Sequence, residues 1–288
     1  MNRERSSGSP DRTRVRPLVK RRAQEGDAAF RAYGIGVSIR TECLEVLERL
    51  AAYLPPGWEP VRPSRIHRFY AISRGASSNG SAYVLHVNAR PMLEGDDLGE
   101  LLANLALDLR LYIAEHARGR IFVHAGVVGW RGRAIVLPGR SSSGKTTLVR
   151  ALVRCGAIYY SDEYAVFDRR GYVHPFPTLL FLRREDALSA HLPIEALGGS
   201  VGTTPLPVGL IAITAYGPTR QQRWRRLSPG EALLELLAHT VPARRRPASV
   251  LAALSRVVSH ASALKGKRGE AEPTAQMILD RYASWSES

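Results

Sequence analysis

The segment 139–147 constrains the fold of this chain more than any other part of the sequence. It reads Gly-Arg-Ser-Ser-Ser-Gly-Lys-Thr-Thr and matches the P-loop pattern G-x-x-x-x-G-K-[ST]. The apolar run 134–137 before it is typical of a buried strand, and the periodicity of 147–153 after it predicts a helix. A strand, a glycine-rich turn and a helix in this order indicate an α/β fold with a polyphosphate site at the helix N-terminus.

The motif assigns a role to each of its residues. Gly139 and Gly144 let the backbone wrap around phosphates, and Lys145 reaches the β- and γ-phosphate oxygens of ATP. The Thr146 hydroxyl points at Mg²⁺. The other nucleotide-binding candidates are small residues of the same segment: Ser141, Ser142, Ser143 and Thr147. A Gly/Ser-rich turn with an accidental lysine is the alternative, and it is disfavoured because the chain contains only four lysines.

Two adjacent carboxylates follow the strand predicted at 157–160, which comes after the P-loop helix. In a strand–loop–helix–strand unit the end of the second strand can lie beside the P-loop, so Asp162 and Glu163 are candidates for the Mg²⁺ site. Phosphoryl transfer needs one group for the ion and another that orients the attacking hydroxyl, and two neighbouring carboxylates can divide these roles. The alternative is an ordinary acidic turn after a strand.

Two further residues are candidates for chemistry at the phosphate site. His124 lies in an apolar strand, where a lone histidine is either a core residue or a site residue. Arg268 lies in the basic, glycine-punctuated segment 265–270, which is predicted as a loop. Such a loop can bring an arginine to the charge that develops on a transferred phosphoryl group. A solvated basic loop is the alternative.

Composition bears on the compartment. The 288 residues are 44% hydrophobic, which supports a buried core. The two cysteines, Cys43 and Cys155, are too few for a disulfide framework or a zinc site. The sequence shows no secretory signal, and the helix predicted at 98–117 is interrupted by charged residues and cannot span a membrane. We therefore expect a cytoplasmic protein.

The formal net charge of +15 allows nucleic acid, anionic lipid or an acidic protein as a partner. We expect instead an arginine-rich background around an anion-binding site. The densest basic runs lie in separate elements, at 20–22, 223–226 and 244–246, and with Trp224 as their one aromatic residue they lack the interleaved aromatic motif of a nucleic-acid surface. The sequence therefore disfavours a nucleic-acid partner.

The chain divides into three regions by composition. Residues 1–28 are polar and rich in Ser and Arg, which predicts a disordered basic tail. Residues 29–117 are predicted as a small α+β domain, and residues 118–288 as the domain that carries the P-loop. The elements predicted for the first domain are strands at 32–40, 66–73 and 82–88 and helices at 42–53 and 98–117. Further helices are predicted to begin near 228 and to cover 247–260 and 270–284.

Taken together, His124 and Ala125, the P-loop motif, and Ser161, Asp162 and Glu163 resemble the catalytic domain of the HPr kinase/phosphorylase family over roughly residues 118–285. The chain looks most like divergent HPr-kinase-related proteins of bacterial gene clusters, some of which phosphorylate peptide natural products such as lasso-peptide precursors. The resemblance implies ATP, Mg²⁺, a serine hydroxyl acceptor and a fold like that of phosphoenolpyruvate carboxykinases. It also suggests a homo-oligomer.

Within this resemblance, His124 matches the family's histidine before the P-loop, and Asp162 and Glu163 occupy the place of its aspartate pair. The chain also departs from the family. Its second acid is Glu163 rather than Asp, its P-loop lacks the Asp-Ser-Gly opening, and the Glu-x-Arg-Gly-Leu-Gly segment has no counterpart. These departures argue against HPr as the substrate and against a phosphorylase reaction.

The sequence thus predicts an ATP- and Mg²⁺-dependent kinase that phosphorylates a hydroxyl, with serine of a peptide or protein as the acceptor. Asp162 is expected to be the base or hydroxyl orienter, tuned by His124, and Glu163 to hold the metal with Thr146. The alternatives are a nucleotide-binding docking module without transfer activity, a nucleotide-dependent nucleic-acid-binding protein and a small-molecule hydroxyl kinase. The sequence contains no base-reading motif that selects ATP over GTP.

Overall fold

The computed structural model describes residues 19–22, 25–61, 64–75, 82–140, 143–182, 190–217 and 224–286. The chain forms two compact units, Met1–His116 and Ala117–Ser288. Both are mixtures of sheet and helix, so the α/β character expected from the sequence is present. Of the helices in the described part of the chain, none combines the length and apolar content that a membrane span needs.

Within the described residues, the first unit contains a six-stranded sheet whose strands follow one another in chain order. The strands are β1 (Val19–Arg22), β2 (Glu25–Ala32), β3 (Ile35–Thr41), β4 (Arg68–Gly75), β5 (Ala82–Val87) and β6 (Arg90–Gly95). Strands β3 and β4 are parallel, and the other pairs are antiparallel. The helices are α1 (Leu44–Leu50) and α2 (Leu98–His116), which matches the helix predicted at 98–117.

The N-terminal part of this sheet differs from the sequence prediction. Residues 32–40 do not form one strand, because Tyr33 and Gly34 turn the chain with φ angles of 51° and 81°. The alternating residues before and after the turn belong to β2 and β3, which pair through contacts such as Phe30 with Val37. Strands β1 and β2 also occupy part of the segment predicted as a disordered tail, whose residues 1–18, 23 and 24 lie outside the described residues.

The second unit contains an eight-stranded sheet within the described residues, with β7 near its centre. Its strands, together with a separate hairpin of β12 and β13, are β7 (Ile121–Trp130), β8 (Arg133–Pro138), β9 (Ile158–Ser161), β10 (Tyr164–Phe167), β11 (Tyr172–His174), β12 (Leu180–Leu182), β13 (Ala190–Leu192), β14 (Leu206–Tyr216), β15 (Trp224–Arg226) and β16 (Ser262–Arg268). The helices are α3 (Lys145–Arg154), α4 (Pro229–Ala238), α5 (Pro247–His260) and α6 (Ala271–Ser286). Strands β8, β14 and β16 are parallel, so their carboxyl ends lie at one edge of the sheet.

Helices cover both faces of this sheet. Helices α3 and α6 pack on one face and α4 and α5 on the other, and each pair has its own apolar core. Neighbouring strand residues alternate between the two cores: Val128 contacts the first and Val127 the second, and Ile135 and Val136 do the same. This double burial explains why the strands read as continuous apolar runs.

One glycine lets the helix that follows the P-loop motif approach the sheet. A Cβ atom at Gly126 in β7 would lie 2.6 Å from Cγ2 of Val149 in α3. Real Cβ atoms do not approach other atoms this closely, so α3 packs directly on the β7 backbone only because position 126 lacks a side chain. The start of α3 is thereby held against the centre of the sheet.

Candidate functional site

The P-loop motif lies where the sequence predicted it, between a strand and a helix. Strand β8 ends at Pro138, and α3 begins at Lys145 after Gly144, whose φ of 79° is left-handed. A Cβ at Gly139 would lie 2.8 Å from the Ser143 hydroxyl oxygen, so a larger residue there would fill the turn. The flanking strand and helix are confirmed, whereas Ser141 and Ser142 lie outside the described residues. The nucleotide-binding roles of the motif stay predictions.

The Lys145 ammonium group turns back onto the motif. Its Nζ atom donates to the carbonyl oxygens of Gly139 at 2.8 Å and of Arg140 at 2.6 Å. Burial lowers the pKa of Lys145, and the negative charges of Asp162 and Glu163 oppose that effect. The ammonium therefore lies on the concave side of the turn, within electrostatic range of both predicted carboxylates.

Thr146 and Asp162 are in direct contact. The Thr146 hydroxyl donates to Oδ2 of Asp162 at 2.8 Å, which joins the first turn of α3 to the end of β9. Oδ1 of the same carboxylate accepts from the hydroxyls of Tyr159 at 2.8 Å and Thr178 at 3.2 Å. The structure thus brings together two of the three residues that the sequence assigned to a metal site. Neither Tyr159 nor Thr178 was singled out from the sequence.

Strand β7 explains how the two carboxylates reach the motif. Both β9 and β10 pair with β7, on the edge opposite β8, and residues 162 and 163 form the short break between them. At this break the N–H of Ala125 donates to the Glu163 carbonyl at 3.2 Å, and Ala125 pairs with Pro138 on the other edge. The end of β9 therefore lies across one strand from the end of β8. The sequence predicted this proximity but not the strand in between.

His124 lies on the α3 face of β7, because alternate residues of a strand share a face and Gly126 meets α3. Its ring packs on the Tyr164 ring with a centroid distance of 4.7 Å. Burial, followed by the positive charge of Lys145 and by His239, lowers the pKa of His124. The imidazole is therefore neutral at pH 7, and it can exchange hydrogen bonds without adding positive charge.

His239 belongs to the same site, although no pattern in the sequence singles it out. The backbone N–H of His124 donates to the His239 carbonyl at 2.8 Å, and the His124 carbonyl accepts from Gly139 at 3.2 Å. His239 and Thr240 thus pair with β7 on the same edge as β8, just beyond the point where β8 ends and the chain enters the motif. Burial, and then the charge of Lys145, lowers the pKa of His239. Only the long-range pairing of the segment after α4 with β7 brings this residue to the site.

Arg268 is placed differently from its prediction. Residues 265–268 are not a loop, because they form the end of β16, which pairs with β14 over its whole length. The guanidinium is buried, and Nη2 donates to the carbonyls of Gly144 at 3.1 Å and Ser143 at 3.4 Å. Its centre lies 5.2 Å from the Tyr216 ring centroid. Arg268 therefore binds the backbone of the motif itself and fixes the start of α3.

The Arg268 cation has little compensation inside the protein. Among the described residues its Nε atom is buried without a hydrogen-bond partner, and Nη1 donates to the Gly269 carbonyl. Burial lowers its pKa, while Tyr216 and Glu270 act in the opposite direction. A buried cation held mainly by carbonyl dipoles, at the N-terminus of a helix, produces a positive potential at the motif.

Comparisons with known proteins leave the family of this chain open. The sequence matches no protein-family profile and no curated protein. Among solved structures it is similar to the HPr(Ser) kinase/phosphatase of Coxiella burnetii, with 13% sequence identity and a TM-score of 0.32. The match covers 58% of this chain and 97% of that chain.

Proposed function

We propose that this chain is an ATP- and Mg²⁺-dependent kinase that transfers the γ-phosphoryl group to a hydroxyl, with serine of a peptide or protein as the acceptor. The observation that supports it best is the 2.8 Å hydrogen bond between Thr146 and Asp162. This bond places a carboxylate beside the threonine of the P-loop motif, although the two residues come from different elements. A Gly/Ser-rich turn with an accidental lysine would not require that contact.

The residues present fit both Mg²⁺ and the triphosphate of a nucleotide. Mg²⁺ prefers oxygen ligands and in nucleotide sites is typically held by one or two carboxylates together with phosphates and water. Thr146 and Asp162 supply a hydroxyl and a carboxylate, and Gly139 and Gly144 add no side chain of their own to the turn. In the described part of the chain, no group of three or more His, Cys, Asp or Glu side chains is placed to hold a metal ion. When bound, the ion and the triphosphate supply a γ-phosphoryl group whose negative charge is partly neutralised.

The side chains around the contact between Thr146 and Asp162 have separate roles in the proposed reaction. Lys145 exchanges the carbonyls of Gly139 and Arg140 for phosphate oxygens, which are stronger acceptors. Asp162, whose two oxygens both accept hydroxyl protons, holds the metal side. As the acceptor's hydroxyl oxygen bonds to the γ-phosphorus and the bond to ADP breaks, the hydroxyl proton would pass to a carboxylate oxygen of Glu163, whose charge acts on Lys145. This division reverses the roles that the sequence suggested for the two acids.

Phosphotransfer to peptides tests the proposal. The protein is incubated with γ-labelled ATP, Mg²⁺ and an arrayed library of serine-containing peptides, and incorporated label is measured. We expect the natural protein to label some of the peptides. Lys145→Met should lower the rate of transfer by several orders of magnitude, because the transition state depends on charge neutralisation. Glu163→Gln should also stop transfer while leaving ATP binding intact.

Two outcomes would contradict the proposal. ATP binding without label in any peptide, protein or small hydroxyl compound would identify a nucleotide-binding docking module. Transfer by Lys145→Met at the natural rate would show that the P-loop motif is not the phosphate site. The matched control is Lys267→Met, which removes an exposed lysine from β16 of the eight-stranded sheet and should leave the rate of transfer unchanged.

A further inference from the structure

The carboxylate of Asp162 is enclosed by hydroxyl groups from three separate segments. Thr146 in α3 donates to Oδ2 at 2.8 Å, and Tyr159 in β9 donates to Oδ1 at 2.8 Å. The third hydroxyl is that of Thr178, in the extended segment after β11, at 3.2 Å from Oδ1. We call these four residues the Asp162 cage. Only the Thr146 contact follows from the P-loop motif.

We propose that Tyr159 and Thr178 are positioning residues that hold Asp162 in the orientation required for Mg²⁺ of the nucleotide site. This inference rests on the proposed function and names two residues that set its metal dependence. Each of the three hydroxyls has one proton to give, and each gives it to the same carboxylate. The Thr146 oxygen therefore keeps its lone pairs for a cation while its hydroxyl proton points at Asp162.

Tyr159 is fully buried, so its hydroxyl has no access to water. Its second neighbour is the Thr178 carbonyl at 3.3 Å, a longer contact than the one to Asp162. A neutral phenol carries one proton, and here that proton points at the Asp162 carboxylate. Rotation of the carboxylate away from Thr146 would cost the buried Tyr159 hydroxyl its shorter hydrogen bond and leave it only the 3.3 Å contact with the Thr178 carbonyl.

The segment that carries Thr178 is itself anchored. Two residues earlier, the N–H of Phe176 donates to the Tyr160 carbonyl at 2.9 Å, and the Phe176 ring packs on Phe122 and Tyr164. Leu180, two residues later, is buried in the core that α3 and α6 cover. The Thr178 hydroxyl is therefore presented to Asp162 by a fixed backbone, and the cage connects the metal side of the site to this segment.

The test separates metal-dependent from metal-independent nucleotide binding. The dissociation constant of ATP is measured by calorimetry for the full chain in Mg²⁺ and in EDTA, and their ratio gives the Mg²⁺ increment. In Tyr159→Phe we expect the increment to shrink about tenfold, the effect of losing one hydrogen bond to a charged group. Affinity in EDTA should stay within twofold of the natural protein.

The neighbouring residue is a matched control. Tyr160 lies in the same strand, is also buried and donates its hydroxyl to the Thr204 carbonyl at 2.9 Å, but it faces the opposite core. Tyr160→Phe removes the same atom from the same strand, so it should lower stability similarly while the Mg²⁺ increment stays unchanged. A purely structural role for Tyr159 would make the two variants behave alike, which would overturn the inference.

A second pair of variants guards against misfolding. Thr178→Val removes the hydroxyl at constant volume and should reduce the Mg²⁺ increment, whereas Thr178→Ser restores a hydroxyl and should recover it. An unchanged increment in Thr178→Val and Tyr159→Phe together refutes the inference but leaves the kinase proposal intact. A natural protein that does not bind ATP, or binds it equally with and without Mg²⁺, refutes the kinase proposal instead.

Discussion

Replacement of Gly144 by alanine tests the link between the P-loop motif and β16. Gly144 has a φ of 79°, and a Cβ atom there would lie 2.3 Å from Nη2 of Arg268. The left-handed backbone alone costs about 1–2 kcal/mol with a side chain present. The guanidinium must also move from the carbonyls of Ser143 and Gly144, and a hydrogen bond of this charged type contributes about 1.5–3 kcal/mol. We expect Gly144→Ala to lower the free energy of unfolding by about 3–5 kcal/mol.

A second glycine separates the two contributions. Gly132, in the turn between β7 and β8, has a φ of 74° and no atom within 4 Å of a Cβ. Gly132→Ala should therefore cost only the backbone term of about 1–2 kcal/mol. Urea denaturation followed by tryptophan fluorescence suits this measurement, because three of the four tryptophans lie in the second unit.

The contribution of Arg268 is isolated by a double-mutant cycle. In an Arg268→Met background the alanine at 144 meets no guanidinium, so Gly144→Ala should cost no more than Gly132→Ala does. If Gly144→Ala lowers the free energy of unfolding equally with and without Arg268, the guanidinium moves away from the new Cβ atom without a loss of stability. That result would refute the conclusion that Arg268 fixes the start of α3.

Two further predictions concern β7. Gly126→Ala places a Cβ 2.6 Å from Val149, so it should displace α3 and weaken ATP binding at least tenfold, and Val149→Ala should partly restore binding in calorimetry. Because the pKa of His124 in the folded protein lies below its ordinary value of 6.5, the unfolded chain binds more protons below that pH. The contribution of His124 to the free energy of unfolding should be fully present above about pH 6.5 and be lost as the pH falls. Urea titrations from pH 5 to 8 should therefore show a flatter pH profile of stability for His124→Gln.

Local signals in the sequence determined the motif and its immediate surroundings. The glycine spacing and the apolar runs on either side predicted β8 and α3, because a strand–turn–helix unit is specified by residues close in the chain. The same reasoning selected Asp162, which the structure places against Thr146. Local signals were misleading where pairing with a distant strand prevails. The segment predicted as a basic loop at 265–270 is largely strand, because seven residues of β16 pair with β14 despite their glycine and charges.

Only the tertiary structure decided which side chains surround that motif. His239 reaches it because α4 ends at the edge of β7 that β8 leaves free, and Arg268 reaches it because β16 runs parallel to β14. Tyr159 and Thr178 meet at Asp162 because β9 pairs with β7 and Phe176 anchors the following segment. These contacts depend on strand pairings between residues far apart in the chain, which leave no periodicity or spacing in the sequence. The chain itself therefore specifies the strand–turn–helix unit of the motif, whereas the arrangement of the strands determines which side chains surround it.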